Sequence, residues 1–287
     1  MRADAALRVA GDGEAVDAAA LAIEGVTKRF ETADGPIIAL EQVSFSVRQG
    51  EFLTLIGPSG CGKSTLFNIV GGLLGGYDGR VLVDGHAIAG SHRAIGMVFQ
   101  EESTFPWRTT LDNVAFPLET AGVGKAERYA RARDLIRLVG LDGFENRYPA
   151  EMSGGMRQRT AIARTLAFEP RILLMDEPFA ALDEQTRLLL GDKLLQIQQA
   201  LRQTTLLITH NIAEAVQLSD RVVVMTFRPG RVKRIVAIDL PRPRTSEIVS
   251  SAAFGQYVAS IWSDLREEAS QGLSESESAP LRRPSHH

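Results

Sequence analysis

Gly57-Pro58-Ser59-Gly60-Cys61-Gly62-Lys63-Ser64 lies between an apolar run at 51–56 (EFLTLI) and a helical run at 65–70 (TLFNIV). The octapeptide fits GxxxxGK[ST], and a strand before it with a helix after it is the context that makes the pattern a phosphate loop. Glycines let the backbone wrap closely around phosphate oxygens. Free N–H groups and the helix N-terminus both favour negative charge. In such a loop Lys63 can reach the β- and γ-phosphates of a nucleotide, and Ser64 can ligate Mg²⁺. A Gly-rich turn matching by chance is the bland alternative, and the flanking strand and helix weigh against it. Cys61 fills a variable position, which packing explains better than redox chemistry.

Outward from the loop, strands alternate with helical patterns. Residues 43–48 alternate apolar and polar, the period of a half-buried strand, and 80–85 (RVLVDG) reads as a strand running into a turn. The segments 171–177 (RILLMDE), 204–210 (TTLLITH) and 221–225 (RVVVM) are continuously apolar, as parallel strands covered on both faces are. Helical spacing fills 126–139 and 184–202. The alternation predicts an α/β fold.

Ligands of such sheets bind beyond the carboxyl ends of the strands. Asp176 and Glu177 end one apolar strand there, so Asp176 is placed for Mg²⁺, directly or through water. Glu177 is placed to orient the water that attacks the γ-phosphate. Strand-end carboxylates are common, and the upstream loop is what gives this pair weight. A lone histidine at a strand end is more often structural, yet His210 falls on the ligand side, where it can bond the γ-phosphate.

Shortly before the Asp-Glu strand stands Met152-Ser153-Gly154-Gly155-Met156-Arg157-Gln158-Arg159. Ser153 is suited to cap a helix running from near Met156 to about Phe168, and the two glycines leave N–H groups exposed as a second anion site. This segment resembles the signature sequence of ABC ATPases. The other elements follow that family's order: the phosphate loop, Gln100 in MVFQE, the signature, Asp176-Glu177, Ala181-Leu182-Asp183 as the D-loop, and His210 as the switch histidine. The match covers about 21–240.

The resemblance implies a P-loop NTPase core (RecA-like, with a mainly parallel sheet), an antiparallel β subdomain and an α-helical subdomain at about 101–165. It implies an ATPase that uses ATP and Mg²⁺, with Glu177, His210, Lys63 and Gln100 catalytic and Ser64, Gln100 and Asp176 around the metal. Phe30 would stack on adenine, and Gly57 through Thr65 would hold the phosphates. Ser153, Gly154, Gly155 and Asp183 would meet ATP across a dimer, most simply a homodimer. Three residues depart from common family usage. Phe30 stands where Tyr is frequent, Met152 replaces Leu, and Met156 replaces Gln.

GPSGCGKST, MVFQE, FPWRTTLDNVAFPLE, SGGMRQRTAIARTL and DRVVVMTFRPGRV look most like the ATPases of nitrate, sulfonate and taurine importers. That implies integral membrane permease subunits, which choose the cargo together with an extracytoplasmic solute-binding protein reached only through them. It also implies a peripheral place on the cytoplasmic face of the membrane. Phe105 and Trp107, after Gln100, suit either a permease contact or internal packing. A soluble ABC protein of translation or DNA repair is the alternative; its usual tandem ATPase domains, coiled coil or basic surface are not apparent. A non-catalytic nucleotide-binding module conflicts with the joint presence of Lys63, Asp176, Glu177 and His210.

Bulk properties agree. The 287 residues carry a formal net charge of −3, which gives no general pull towards nucleic acid. One cysteine excludes an intrachain disulfide. No stretch approaches the roughly 20 apolar residues of a membrane span, and the first 20 residues lack the apolar core of a secretion signal. Residues 1–20 read as a flexible tail. After Pro241-Arg242-Pro243-Arg244 comes an extension, 241–287, with one amphipathic helix. Phe254, Tyr257, Val258, Ile261, Trp262 and Leu265 form its apolar face, and 270–287 reads as disordered. His286 and His287 are too isolated for a metal site.

Overall fold

The computed structural model describes residues 19–33, 35–100, 103–180 and 182–278, with side chains to residue 270. Two long strands, β1 (Ala19–Thr32) and β2 (Gly35–Arg48), pair antiparallel. β3 (Phe52–Ile56) feeds the loop at 57–62 and α1 (Lys63–Val70). β4 (Asp78–Val83) and β5 (His86–Ala87) return to the first pair, and β6 (Ile95–Val98) leads to three helices. These are α2 (Thr110–Thr120), α3 (Lys125–Leu138) and α4 (Gly154–Leu166). Then come β7 (Ile172–Asp176), α5 (Glu184–Leu201), β8 (Thr204–Thr209), α6 (Ile212–Leu218), β9 (Arg221–Met225) and β10 (Val232–Ala237). A 3₁₀ turn (Ser246–Ser250) precedes α7 (Ala252–Ser278).

Among the described residues the central sheet runs β10-β9-β3-β8-β7-β6, parallel except for β10. Ile56 pairs with Thr209 and with Val224, and Asp176 with Ile208, so the strands end together at one edge. Helices cover both faces, which is why these strands are apolar throughout rather than alternating. On one face Leu53, Leu55 and Leu174 pack with α1 (Leu66, Phe67, Ile69) and with Leu21, Ile23 and Val81 of the second sheet. That sheet is antiparallel, in the order β2-β1-β4-β5. The opposite face buries Leu173, Met175 and Leu207 against Val114, Ile136, Leu166 and Leu194 of α2 to α5.

The segment entering α2 is tied down by Asn113, whose amide donates to the carbonyls of Phe105, Arg108 and Thr109 while its oxygen accepts from Phe105 N–H. Phe105 is held inside by edge contact with Phe116 and by the Arg164 guanidinium 4.8 Å from its ring centroid. Trp107 is 72 % exposed. The two aromatics after Gln100 thus divide between internal packing and open surface.

Several sequence expectations are corrected. Ala19 and Ala20, assigned to a flexible tail, are the first residues of β1; residues 1–18 lie outside the described residues. Residues 270–278, expected to be disordered, continue α7, while 279–287, with His286 and His287, lie outside the described residues. α7 buries Phe254, Ile261 and Leu265 against Val216, Val224, Val236 and Ile238, but Trp262, expected on that face, is exposed. At 3.6 residues per turn Ile261 and Leu265 fall within about 20° of Phe254, and Trp262 about 80° away. Among the described residues no helix is long and apolar enough to cross a membrane.

Candidate functional site

Gly57 leaves β3 beneath a tightly packed loop. A Cβ there would lie 2.7 Å from Cys61 Sγ and 3.1 Å from Met225 Cβ, so only glycine lets the chain turn at this point. Gly62, the residue before α1, has φ +99°, and a Cβ on it would sit 2.9 Å from the Ala39 carbonyl oxygen. The Cys61 side chain is wholly buried, and burial pushes its thiol up, away from thiolate chemistry. Lys63 Nζ donates to the carbonyls of Gly57 (2.8 Å) and Pro58 (3.0 Å). The ammonium therefore lies inside the ring of backbone that the loop forms at the N-terminus of α1.

Above this loop opens a cleft of about 460 Å³, lined by Phe30, Ile37, Ser59, Gly60, Gly62, Lys63, Ser64, Thr65, Glu177 and Arg228. Phe30 lies on β1 opposite Ile37, with Lys28 Nζ 5.0 Å from its ring centroid. Lys28 is itself fixed by the Gly75 and Gly76 carbonyls. The cation–ring contact helps to fix the orientation of Phe30, whose flat aromatic side chain lines the cleft and can stack on another planar ring.

At the strand ends, the Asp176 carboxyl is raised above the usual carboxylate range, first by burial and then by the Glu177 charge; the Ser64 hydroxyl bonded to it and Lys63 act the other way. Glu177 takes the left-handed backbone region (φ 45°), with its N–H donated to the Ile208 carbonyl at 2.8 Å. Its carboxylate lies 3.0 Å from His210 Nδ1 and 3.5 Å from Gln100 Nε2. A carboxylate only accepts, so Nδ1 of His210 carries the hydrogen and Nε2 is left as the second functional atom. Gln100, Glu177 and His210, drawn from the ends of three strands, thus converge on one point.

Ser153 precedes α4, and its hydroxyl accepts from Met156 N–H at 3.3 Å. The helix starts at Gly154, two residues earlier than expected. Gly155, expected to be exposed, is buried near Leu182, Thr186 and Leu190. Asp183 caps α5 through Thr186 N–H (3.0 Å) and the Thr186 hydroxyl (2.7 Å), which hold its carboxyl below the usual range. Neither Asp183 nor the 153–155 turn lines the cleft. Ala181 lies outside the described residues.

Sequence reasoning missed Arg228, which lines the cleft and donates from Nε to the Gly60 carbonyl at 2.9 Å. A signal was present: it follows β9, a strand already recognisable as apolar and parallel. Reasoning also missed Glu214, buried behind His210. Desolvation raises its carboxyl to about 7, against the lowering effects of the Thr209 hydroxyl, Arg187 and His210. No periodicity distinguishes this glutamate from a surface one.

The chain has recognisable relatives. Residues 40–180 match the ABC transporter family profile. An uncharacterized ABC transporter ATP-binding protein of Methanocaldococcus jannaschii is 50% identical over 253 residues, which cover 88% of this chain and 94% of that protein. The aliphatic sulfonates import ATP-binding protein SsuB of Bacillus cereus is 42% identical over 227 residues, 78% of this chain and 88% of that one. Among solved structures, a dimeric bacterial ABC transporter cassette superposes with a TM-score of 0.68 at 32% identity, covering 77% of this chain and 100% of its own. The same cassette in a post-hydrolysis state bound to ADP and Pi gives the same values.

Proposed function

We propose, on the premise that this chain belongs to the ABC transporter family of ATP-binding proteins, that it is the ATP-hydrolysing subunit of an importer for a small solute of the nitrate, sulfonate or taurine type. The ATPase character goes with the family. The importer reading is supported by the likeness to an aliphatic sulfonates import protein.

The observation that carries the mechanism is the convergence of Gln100 and His210 on the Glu177 carboxylate at the mouth of the phosphate-loop cleft. Lys63 exchanges its loop carbonyls for β- and γ-phosphate oxygens. The N–H groups at the start of α1 hold the remaining charge. Phe30 takes the adenine face. Glu177 accepts a hydrogen bond from the attacking water and aligns it with the γ-phosphate, while His210 fixes the carboxylate's direction. Phosphoryl transfer asks mainly for such positioning and for charge stabilisation.

A hydroxyl and a carboxylate already bonded to each other, Ser64 and Asp176, form an oxygen donor set suited to Mg²⁺, which takes few protein ligands and completes its shell with water and phosphate. Gln100, whose amide nitrogen meets the neighbouring Glu177, would offer its amide oxygen as a further ligand. When bound, Mg²⁺ would neutralise charge on the phosphates.

Ser153, Gly154, Gly155 and Asp183 lie outside the cleft of their own chain, so their role is assigned to the partner's cleft in a homodimer. The dimeric form of the related cassette supports that arrangement. Trp107, held outward by the Asn113-braced segment, offers the permease an apolar anchor of the kind that dominates protein contacts. On this reading the chain works on the cytoplasmic face of the membrane, with the extracytoplasmic binding protein reached through the permease.

Uptake of labelled alkanesulfonate, taurine and nitrate in cells carrying the wild-type chain or Lys63→Ala tests the reading. One of these solutes is expected to stop entering in the variant. Unchanged uptake of all three, with ATPase activity lost in the purified variant, would overturn the importer assignment to this solute class.

A further inference from the structure

We propose that Arg228 is a further nucleotide-binding residue, its guanidinium meeting the phosphate chain, and that Glu268 of the C-terminal helix is the positioning residue for the loop that carries it. The inference rests on reading the cleft as the ATP site.

The topology supplies the first reason. β9 is parallel to β3 and neighbours it, so the loop leaving β9 starts at the same edge as the phosphate loop. The strands β3, β6, β7 and β8 are each followed within two residues by a residue of the site (Gly57, Gln100, Glu177 and His210); Arg228, three residues past β9, extends the pattern to the remaining parallel strand.

The second reason is how closely this loop is built onto the phosphate loop. A Cβ on Gly230 would lie 2.1 Å from the Cys61 carbonyl oxygen. Gly230 also exchanges backbone hydrogen bonds with β2, its N–H donating to the Ala39 carbonyl and its carbonyl accepting from Glu41 N–H, both at 3.0 Å. Within the loop the Thr226 hydroxyl donates to the Pro229 carbonyl (2.8 Å) and accepts from Arg231 N–H (2.9 Å). Arg228 is therefore presented by a fixed frame, and its Nε–H is spent on the Gly60 carbonyl at 2.9 Å.

The third reason is charge. The basic residues around this hairpin are paired with carboxylates: Arg231 with Glu41, Arg234 with Asp264, Lys233 with Glu267 and Glu268, and Arg221 with Glu51. Arg228 has no such ion pair among the described residues. Four of its five N–H donors remain beyond the bond to Gly60, in a cleft that also holds the Lys63 ammonium. The carboxylate among the lining residues, Glu177, is engaged by His210 and Gln100; two cations on one cleft fit a polyanion, and guanidinium forks match phosphate oxygens.

Glu268 connects this arrangement to α7. Buried on that helix, it accepts from Phe227 N–H at 2.9 Å through one carboxylate oxygen and meets Lys233 at 2.8 Å through the other. Phe227 is the residue before Arg228, so α7 holds the backbone from which the guanidinium extends.

The test is titration of the full chain with ATP, ADP and AMP. Wild type, Lys63→Ala, Arg228→Gln, Glu268→Ala, Glu268→Gln and the Arg228→Gln/Glu268→Ala double variant are compared after thermal melts confirm folding. Glutamine at 228 keeps a donor for the Gly60 carbonyl and removes the charge. Arg228→Gln is expected to weaken ATP binding roughly 10- to 100-fold, the loss of a hydrogen bond to a charged group, with a smaller effect on ADP and the smallest on AMP. Glu268→Ala should show the same ranking more weakly, Glu268→Gln should restore affinity because it keeps an acceptor for Phe227 N–H, and the double variant should bind like Arg228→Gln alone. Unchanged ATP affinity in Arg228→Gln beside a clear loss in Lys63→Ala, or an equal loss for all three nucleotides, would overturn the role of Arg228. Additive losses in the double variant would overturn the positioning role of Glu268. A wild-type chain that binds no ATP would remove the reading of the cleft and this inference together.

Discussion

Glu177 is a non-glycine residue in the left-handed region, a conformation costing about 1–2 kcal/mol. The backbone accepts that cost where Glu177 N–H is captured by Ile208 and the carboxylate is turned back towards His210. Glu177→Gln preserves size and polarity while removing the proton acceptor. It should retain ATP affinity and lose hydrolysis on the order of 10²–10⁴-fold; steady-state phosphate release would check this, and near-normal turnover would remove Glu177 from its assigned role. Behind it, Glu214 has a folded-state pKa of about 7 against an ordinary value of 4.5. The folded chain therefore keeps a proton that the unfolded chain releases, and stability falls as pH rises from about 4.5 to about 7. Glu214→Gln should relieve a penalty on the order of 3 kcal/mol above pH 7, and the advantage should vanish near pH 4.5. Parallel melting curves for both chains across that range would show whether they converge at the acid end.

At the scale of the element, α7 is bound to the core by a narrow stripe. Ile261 is fully buried among Val236, Ile238 and Leu265, so Ile261→Ala should cost about 2–5 kcal/mol and lower the melting temperature. The exposed Trp262 one position away should tolerate alanine with a change within about 0.5 kcal/mol. Equal effects of the two substitutions would contradict the packing described. α4 depends on its cap: Ser153→Ala removes the acceptor for Met156 N–H and should cost about 1 kcal/mol of stability. If Ser153 also serves a partner's nucleotide, ATP hydrolysis should fall while ATP binding to the isolated chain is kept. A variant whose hydrolysis matches wild type would confine Ser153 to capping.

At the scale of the whole molecule, the cleft and the 153–155 turn are separate surfaces, and the proposed chemistry brings them together only between two chains. Glu177→Gln with ATP and Mg²⁺ should therefore run as a particle of twice 31.2 kDa in light scattering and return to the single-chain mass when ADP replaces ATP. A constant single-chain mass with bound ATP would contradict the composite site. On the proposed arrangement the reversal follows because the γ-phosphate would supply charge to both surfaces, and its loss would leave the partner's helix N-terminus with less to hold.

The sequence by itself determined the alternation of strand and helix, the glycine loop and the strand-end residues Asp176, Glu177 and His210. Each rests on local physics: a two-sided apolar run, a helix N-terminus, a backbone that must approach phosphate. It also marked Ser153 as a cap. Only the tertiary structure decided that Gly155 is buried against α5, that Trp107 is outward while Phe105 is inward, and that Trp262 falls beside rather than on the buried stripe. It alone placed Arg228 against Gly60 and enclosed Glu214. These depend on which faces meet across long stretches of chain, and an exposed arginine and a cleft arginine are the same letter until the sheet sets β9 beside β3.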